Sequence, residues 1–166
     1  MNRYDNLAGQ TISFASTALI AGTTSTYTTT VTSNACIKGK FTTALTAQTN
    51  VASPTTDGVT GLAFTPLTAN QATVLVWGLT QAGAIRLMQG AIVPTETGIT
   101  TTAGAFINAP LFPVVPDEIV PIAYCLVRTS PTGSSFTPGT TSWAAAGITT
   151  STFVNISTVP DRPQIS

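Results

Sequence analysis

The sequence predicts an all-β protein, a single β-sandwich or jelly-roll-like domain over residues 1–166 with an extended N-terminal arm at residues 1–25. Three observations support this prediction. No segment places apolar side chains at the spacing of an amphipathic helix with good helix formers between them. Short runs rich in β-branched and aromatic residues recur along the chain. Glycine and proline separate these runs, as turns separate the strands of a sandwich.

About eight strands are expected from these runs. A hairpin is predicted where two runs flank the turn-like residues 80–83. Pro121 indicates a sheet edge or a β-bulge, because proline cannot donate to a ladder. The Pro-rich stretch APLFPVVPDE is predicted to be an ordered crossover. The predicted strand regions are residues 26–32, 36–45 with a break at Gly39, 73–79, 84–93, 118–129 and 141–158, the last giving one or two strands.

The first 25 residues lack strong turn signals, and residues 6–37 carry no charge. This favours an arm that crosses to a neighbouring subunit. Serine and threonine interrupt the mildly apolar stretch at residues 12–22, and Asp5 offsets Arg3. A secretion signal is therefore not expected.

The composition suggests a surface that other proteins cover. The chain has 43% hydrophobic and 7% charged residues and no net charge, whereas about 25% of residues are charged in a typical soluble domain. The Lys and Arg residues are scattered, so neither nucleic acid nor a membrane is an expected partner. No apolar run is long enough to span a membrane as a helix.

The sequence offers little for catalysis. It has no histidine, which removes Ser-His-Asp and Cys-His arrangements and most zinc sites. Asp117 and Glu118 are adjacent, so on a strand they would point to opposite faces. Asp57 precedes a glycine, as in a turn, although Asp57 or the Asp117–Glu118 turn could alternatively bind calcium. Asp161 is expected to pair with Arg162. We therefore expect no catalytic residue, no cofactor, no metal and no small-molecule substrate.

The two cysteines, Cys36 and Cys125, are isolated from each other in the sequence. They are interpreted as small core side chains. A disulfide between them and a reactive thiol remain as alternatives.

The segment VLVWGLTQAGAIRLMQG, residues 74–90, has one charge, Arg86, among apolar side chains. A hairpin that is apolar on both faces would bury one face in its own domain and offer the other to a neighbour. Arg86 would either stack on Trp77 across the hairpin or be reserved for a partner's carboxylate. The residues predicted to contribute to an interface are Trp77, Arg86, Met88 and Phe112.

Three segments resemble small structural proteins of tailed bacteriophages. They are WGLTQAGAIRLMQG, FINAPLFPVVPDEIVPIAYCLVRTS and FVNISTVPDRPQIS. The resemblance covers about residues 72–164 and rests on a Trp-Gly hairpin, an APxFPxxPD crossover and a closing LPDRPQ. Val159 stands where related chains have leucine.

The resemblance implies a virion protein, made in the host cytoplasm and placed on the outer surface of the capsid. Within virions it favours a decoration (cement) protein that binds the major capsid protein as a homotrimer. The resemblance assigns no functional role to any residue of this chain. In the reducing cytoplasm both cysteines would remain thiols. The rival interpretations are a trimeric tail or head fibre module that binds a host receptor, a tail-associated hydrolase and a carbohydrate-binding module.

Overall fold

The computed structural model describes residues 11–14, 16–133, 135–160 and 163. These residues form short strands in three sheets, and none of them lies in a helix. The all-β prediction is confirmed. In order along the chain, the strands are β1 (Ile12–Ser13), β2 (Leu19–Ala21), β3 (Thr26–Thr29), β4 (Ala35–Ile37), β5 (Lys40–Phe41), β6 (Gln48–Ala52), β7 (Gln71–Thr80), β8 (Ile85–Gln89), β9 (Val93–Pro94), β10 (Ile119–Thr129), β11 (Ile148–Thr150) and β12 (Val154–Asn155).

The named strands pair antiparallel throughout. The largest sheet has the order β11-β10-β7-β8, with β12 also paired to β10 and β9 to β7. Two three-stranded sheets have the orders β1-β4-β5 and β2-β3-β6. Residues 148–150 and 154–155 confirm that the region 141–158 supplies two strands.

The pairing of β7 with β10 forms the centre of the molecule. It runs from Ile119 opposite Thr80 to Arg128 opposite Ala72, and the register shifts between Pro121 and Ala123. This shift confirms the bulge predicted from Pro121. The strand itself is internal to its sheet, and the bulge accommodates a residue that cannot donate to the ladder.

The predicted hairpin is also confirmed. β7 and β8 are joined by a turn in which Gly83 donates to the carbonyl of Thr80 at 2.9 Å. The region 36–45 is divided at the predicted break, and of its second half only Lys40–Phe41 is a strand. Lys38 and Gly39 both have positive φ (49° and 76°) and turn the chain between β4 and β5.

Both faces of the central sheet are buried within the same chain. On one face lies the first core, built around Trp77, Cys125, Phe136 and Trp143. On the other face lies a smaller second core, whose buried members are Val74, Val76, Met88, Ile119, Tyr124 and Leu126.

This second core corrects the expectation that one face of the hairpin is offered to a neighbour. Phe112 and Val115 of the Pro-rich crossover and Val154 of β12 cover it, together with Phe106 and Ile156, which lie just outside these two segments. Segments distant in sequence therefore cover the second face. The residue pattern of the hairpin alone does not reveal this cover.

The predicted N-terminal arm is also corrected in part. Residues 1–10 lie outside the described residues. Of the rest, β1 pairs with β4 and β2 pairs with β3, and the side chains of Thr17 and Leu19 are fully buried. Residues 11–14 and 16–25 therefore pack on the chain's own body.

Trp77 is the largest fully buried side chain of the first core, and its ring centroid lies 4.9 Å from Phe153 and 5.9 Å from Trp143. We expect Trp77→Ala to lower the free energy of unfolding by about 3–5 kcal/mol, because it removes a large side chain from a closed site. Chemical denaturation measures this change. Val114→Ala is the matched control, because Val114 is 83% exposed. Equal stability of the two variants would contradict the placement of Trp77 in the core.

Candidate interaction surface

Three of the four residues predicted to contribute to an interface lie inside the molecule. Trp77 belongs to the first core and Met88 to the second, and neither side chain is exposed. Phe112 is half-buried and contacts Tyr124 edge-on, with ring centroids 4.9 Å apart. The structure shows how Trp77, Met88 and Phe112 pack within the chain. That these residues contact a partner stays a prediction from the sequence.

Arg86 does not stack on Trp77. The register of the hairpin places Arg86 opposite Gly78, and Trp77 opposite Leu87. Adjacent positions on a strand point to opposite faces, so the two side chains lie on different sides of the sheet. The side chain of Arg86 is exposed, and its guanidinium has no ion pair or hydrogen bond with the described residues. Of the two interpretations, only the one that reserves Arg86 for a partner's carboxylate agrees with this register.

Arg86 lines a surface groove of about 550 Å³ at the end of the β7–β8 hairpin. We call it the hairpin groove. Its apolar lining includes Val59 and Ile119, and Glu118 lies on the same groove. Val59 also lines a neighbouring cleft of about 480 Å³, which contains Ile92 and Val114. The two depressions therefore adjoin at Val59, and Arg86 lines only the hairpin groove.

The acidic residues beside this surface already have a local partner. The Lys38 ammonium lies 3.7 Å from Glu118 and 3.9 Å from Asp117. All three side chains are more than half exposed, so these ion pairs add little stability. The single ammonium of Lys38 offsets one of the two carboxylates, and Arg86 is a cation of the groove whose guanidinium has no ion pair with a described residue.

Asp57 holds the loop that forms one wall of both depressions. Its Oδ1 accepts hydrogen bonds from the amides of Val59 and Thr60 at 2.9 Å, and its Oδ2 accepts one from the amide of Gln89 at 2.8 Å. The amide of Gly58 in turn donates to the carbonyl of Leu87. The predicted turn at Asp57 is thus present, and it also covers the outer edge of β8, which would otherwise expose unpaired amides.

Asp57 is 8% exposed. Removing its carboxylate would leave the buried amides that it accepts from without a partner. We expect Asp57→Ala to lower the free energy of unfolding by about 1.5–3 kcal/mol, in the range for hydrogen bonds to a charged group. Asp57→Asn should fall between this variant and the native chain, because one side-chain oxygen remains to accept from the loop. Urea denaturation of the three proteins tests the order. An alanine variant as stable as the native chain would be the contrary result.

A second exposed feature is an aromatic pair that sequence reasoning missed. The rings of Phe14 and Phe41 lie 5.5 Å apart and are exposed to 55% and 74%. The break predicted at Gly39 is the turn that brings Phe41 opposite Cys36, but the approach of Phe14 to Phe41 was not predicted. No local sequence signal places Phe14, which follows β1, beside Phe41 of β5.

Metal-ligating clusters and membrane-spanning helices are two further features to consider in the part of the chain that the structure describes. There, no three His, Cys, Asp or Glu side chains lie close enough together to hold a metal ion. The described residues also include no helix with the length and apolarity to span a membrane. The predicted pair of Asp161 with Arg162 lies outside the described residues.

Cys36 and Cys125 are buried, unbridged thiols, as expected of core side chains. Burial raises the pKa of the Cys125 thiol far above its usual range, which keeps it in the unreactive protonated form.

We expect iodoacetamide to leave Cys36 and Cys125 unmodified in the folded protein at pH 8, and to alkylate both after denaturation without reductant. Mass spectrometry of the two samples measures this. A Cys36–Cys125 bridge, or rapid modification of Cys125 in the folded chain, would overturn the assignment.

No family model matches the chain, and no match was found among curated proteins or among solved structures.

Proposed function

We propose that this chain is a non-enzymatic structural protein of a tailed-bacteriophage virion. In this proposal it decorates the outer surface of the capsid, binds the major capsid protein and stabilises the DNA-filled head. It is a homotrimer made in the host cytoplasm, and its three sheets form a sandwich-like body. The resemblance of residues 72–164 to phage structural proteins supports the virion assignment.

One observation supports the binding role most directly. Among the described residues, ten large hydrophobic side chains are exposed, in a chain of 166 residues with six basic and six acidic side chains. Exposed apolar surface with so little charge is typical of a protein covered by partners.

The hairpin groove suits such a contact. It offers apolar side chains around Val59 and the exposed guanidinium of Arg86, which has no ion pair with a described residue. An arginine at the margin of an apolar patch is a common anchor for a carboxylate across an interface. A modest 800 Å² of apolar contact would contribute roughly 20 kcal/mol before the costs of association. Shell contacts of this kind would depend weakly on salt.

A specific observation favours one alternative, a trimeric tail or head fibre module that binds a host receptor. Such a module should present aromatic side chains at its surface, and Phe14 and Phe41 are presented in this way. Decoration and receptor binding predict different consequences of losing the protein.

We expect virions that lack the protein to release DNA at a lower temperature than complete virions, yet to adsorb to cells at the normal rate. A decoration protein stabilises the shell, whereas adsorption belongs to the tail. Both quantities are measured on the same deletion particles, by dye access to DNA on heating and by loss of free phage. Lost adsorption with unchanged heat stability would refute decoration and support the fibre module.

Adding purified protein back to the deletion particles tests the surface itself. We expect Arg86→Glu to restore heat stability poorly, because it places a carboxylate against the partner's carboxylate. Lys40→Glu is the matched control, an exposed cation on another sheet. Equal restoration by both variants would exclude the hairpin groove as the capsid contact.

A further inference from the structure

A second hairpin, residues 95–106, presents an apolar side chain at an exposed tip. Thr95 pairs with Phe106 at its base. At its tip, the amides of Ile99 and Thr102 donate to each other's carbonyls, at 3.1 and 2.8 Å. Ile99 is 80% exposed, so the chain itself provides almost no cover for this side chain.

The second hairpin is fixed to the body of its own chain. The amide of Gly98 donates to Asn70 Oδ1 at 3.2 Å, and the hydroxyl of Thr132 donates to the carbonyl of Thr100 at 2.6 Å. Thr100 also has φ 51°, a left-handed conformation that a β-branched residue rarely adopts and that is often found at binding sites. Because Ile99 is already held in place, a partner that binds it does not have to order the loop, which lowers the entropic cost of the contact.

The cleft of about 480 Å³ beside the hairpin groove has matching polarity. We call it the loop cleft, and its apolar lining consists of Val59, Ala63, Phe64, Ile92, Pro113 and Val114. Asp57 is its one charged lining residue, and both oxygens of that carboxylate already accept from backbone amides. The volume lies in the range of clefts that hold drug-sized groups. The loop cleft therefore suits the uncharged tip of a turn with one apolar side chain.

Exposed apolar side chains gather at these two features. Of the ten large ones among the described residues, six lie on or beside the second hairpin and the loop cleft: Val59, Leu62, Ile99, Ile107, Leu111 and Val114. A fully exposed side chain of this size presents on the order of 100 Å² of apolar surface, so these six present roughly 400 Å² at their exposures. A standard contact buries about 1,600 Å² over both partners, a little over half of it apolar. The six side chains alone supply about half of that apolar area.

We infer that the second hairpin of one copy of this chain inserts Ile99 into the loop cleft of another copy. The chain carries both halves of the contact, yet its own hairpin contributes no residue to its own cleft. Residues 97–116 supply the tip of the hairpin and one wall of the cleft, and they carry no charge. Identical chains carry identical charges, and like charges that meet across an interface oppose association. An uncharged surface is therefore where two copies associate most readily.

A hairpin that enters a cleft on the next copy makes a head-to-tail contact, and such contacts close only when the copies form a ring. The inference rests on the homotrimer proposed above and names the surfaces that would form a ring of three. Arg86 does not line the loop cleft, so the hairpin groove remains available for the capsid.

Sedimentation velocity of full-length variants tests this inference. We expect Ile99→Ala to weaken association roughly tenfold to hundredfold, because it removes most of an apolar side chain that the contact buries. Ile99→Val should retain most of the association. Circular dichroism checks that the variants fold.

Ile20→Ala is the matched control, an isoleucine that is 49% exposed on β2. The edge of β2 beside it already has a partner within the chain. Asn155 Oδ1 accepts from the amide of Leu19 at 2.7 Å, and Asn155 Nδ2 donates to the carbonyl of Leu19 at 3.1 Å. We expect Ile20→Ala to associate like the native chain.

The possible failures are distinguishable. A native trimer that Ile99→Ala weakens no more than Ile20→Ala would overturn the inference and leave the homotrimer standing. A native chain that stays monomeric at tens of micromolar would overturn both. Neither result bears on the virion experiments above, which measure heat stability and adsorption.

Cross-linking tests the contact directly. Chains carrying Thr101→Cys are mixed with chains carrying Ala63→Cys and oxidised with diamide, which takes up the two thiol hydrogens as the disulfide forms. We expect mass spectrometry of linked peptides to show a bond between positions 101 and 63. Ala21→Cys replaces Ala63→Cys in the control, since Ala21 is an exposed alanine outside the loop cleft. Cys36 and Cys125 are buried and should not interfere. Absence of the bond to position 63, or equal linking to position 21, would overturn the inference.

A chain carrying both Thr101→Cys and Ala63→Cys shows whether the hairpin comes from another copy and whether the ring closes at three. Disulfide-linked trimers support the inference. A monomer closed on itself, or linked species larger than the trimer, would overturn it.

Discussion

The antiparallel pairing of β7 with β10 is the contact on which both cores depend. Strands apolar on both faces usually belong to parallel sheets that helices cover on each side. Here the pairing is antiparallel and the described residues supply no helix. The small sheets and aromatic loops therefore cover the first face, and irregular chain covers the second.

Irregular chain can cover an apolar face only if its own backbone groups do not need partners there. The crossover at residues 109–118 meets this condition partly through composition. Pro110, Pro113 and Pro116 have no amide hydrogen, so the crossover packs Phe112 and Val115 on the second core with fewer backbone donors to satisfy. The proline content that excludes this stretch from a strand thus makes it a suitable lid for one.

Sequence reasoning succeeded where the signal was local. The hairpin turn, the bulge at Pro121 and the turn at Asp57 each follow from residues within a few positions of one another. It failed where the outcome depends on a one-residue shift in strand register, or on a segment that is distant in sequence. A shift of one position determines whether Arg86 faces Trp77, and nothing near the hairpin reveals that residues 154 and 156 cover its second face. The exposed pair Phe14–Phe41 was missed for the same reason, since Phe14 follows β1 and Phe41 lies in β5, and the β1–β4–β5 sheet brings the two together.

The bonds between Asn155 and Leu19 have a consequence for how the chain folds. They join residues 136 positions apart, and the β7–β10 ladder itself joins residues up to 56 apart, as in Ala72 with Arg128. Chains dominated by such distant pairings fold slowly, because loop closure must precede the contacts that reward it. On the ribosome, the edge of β2 therefore remains open until Asn155 has been made. During that interval the apolar β7 and the open β2 edge are exposed together. Exposed apolar surface and unpaired strand edges promote aggregation, so we expect chaperones to bind the incomplete chain.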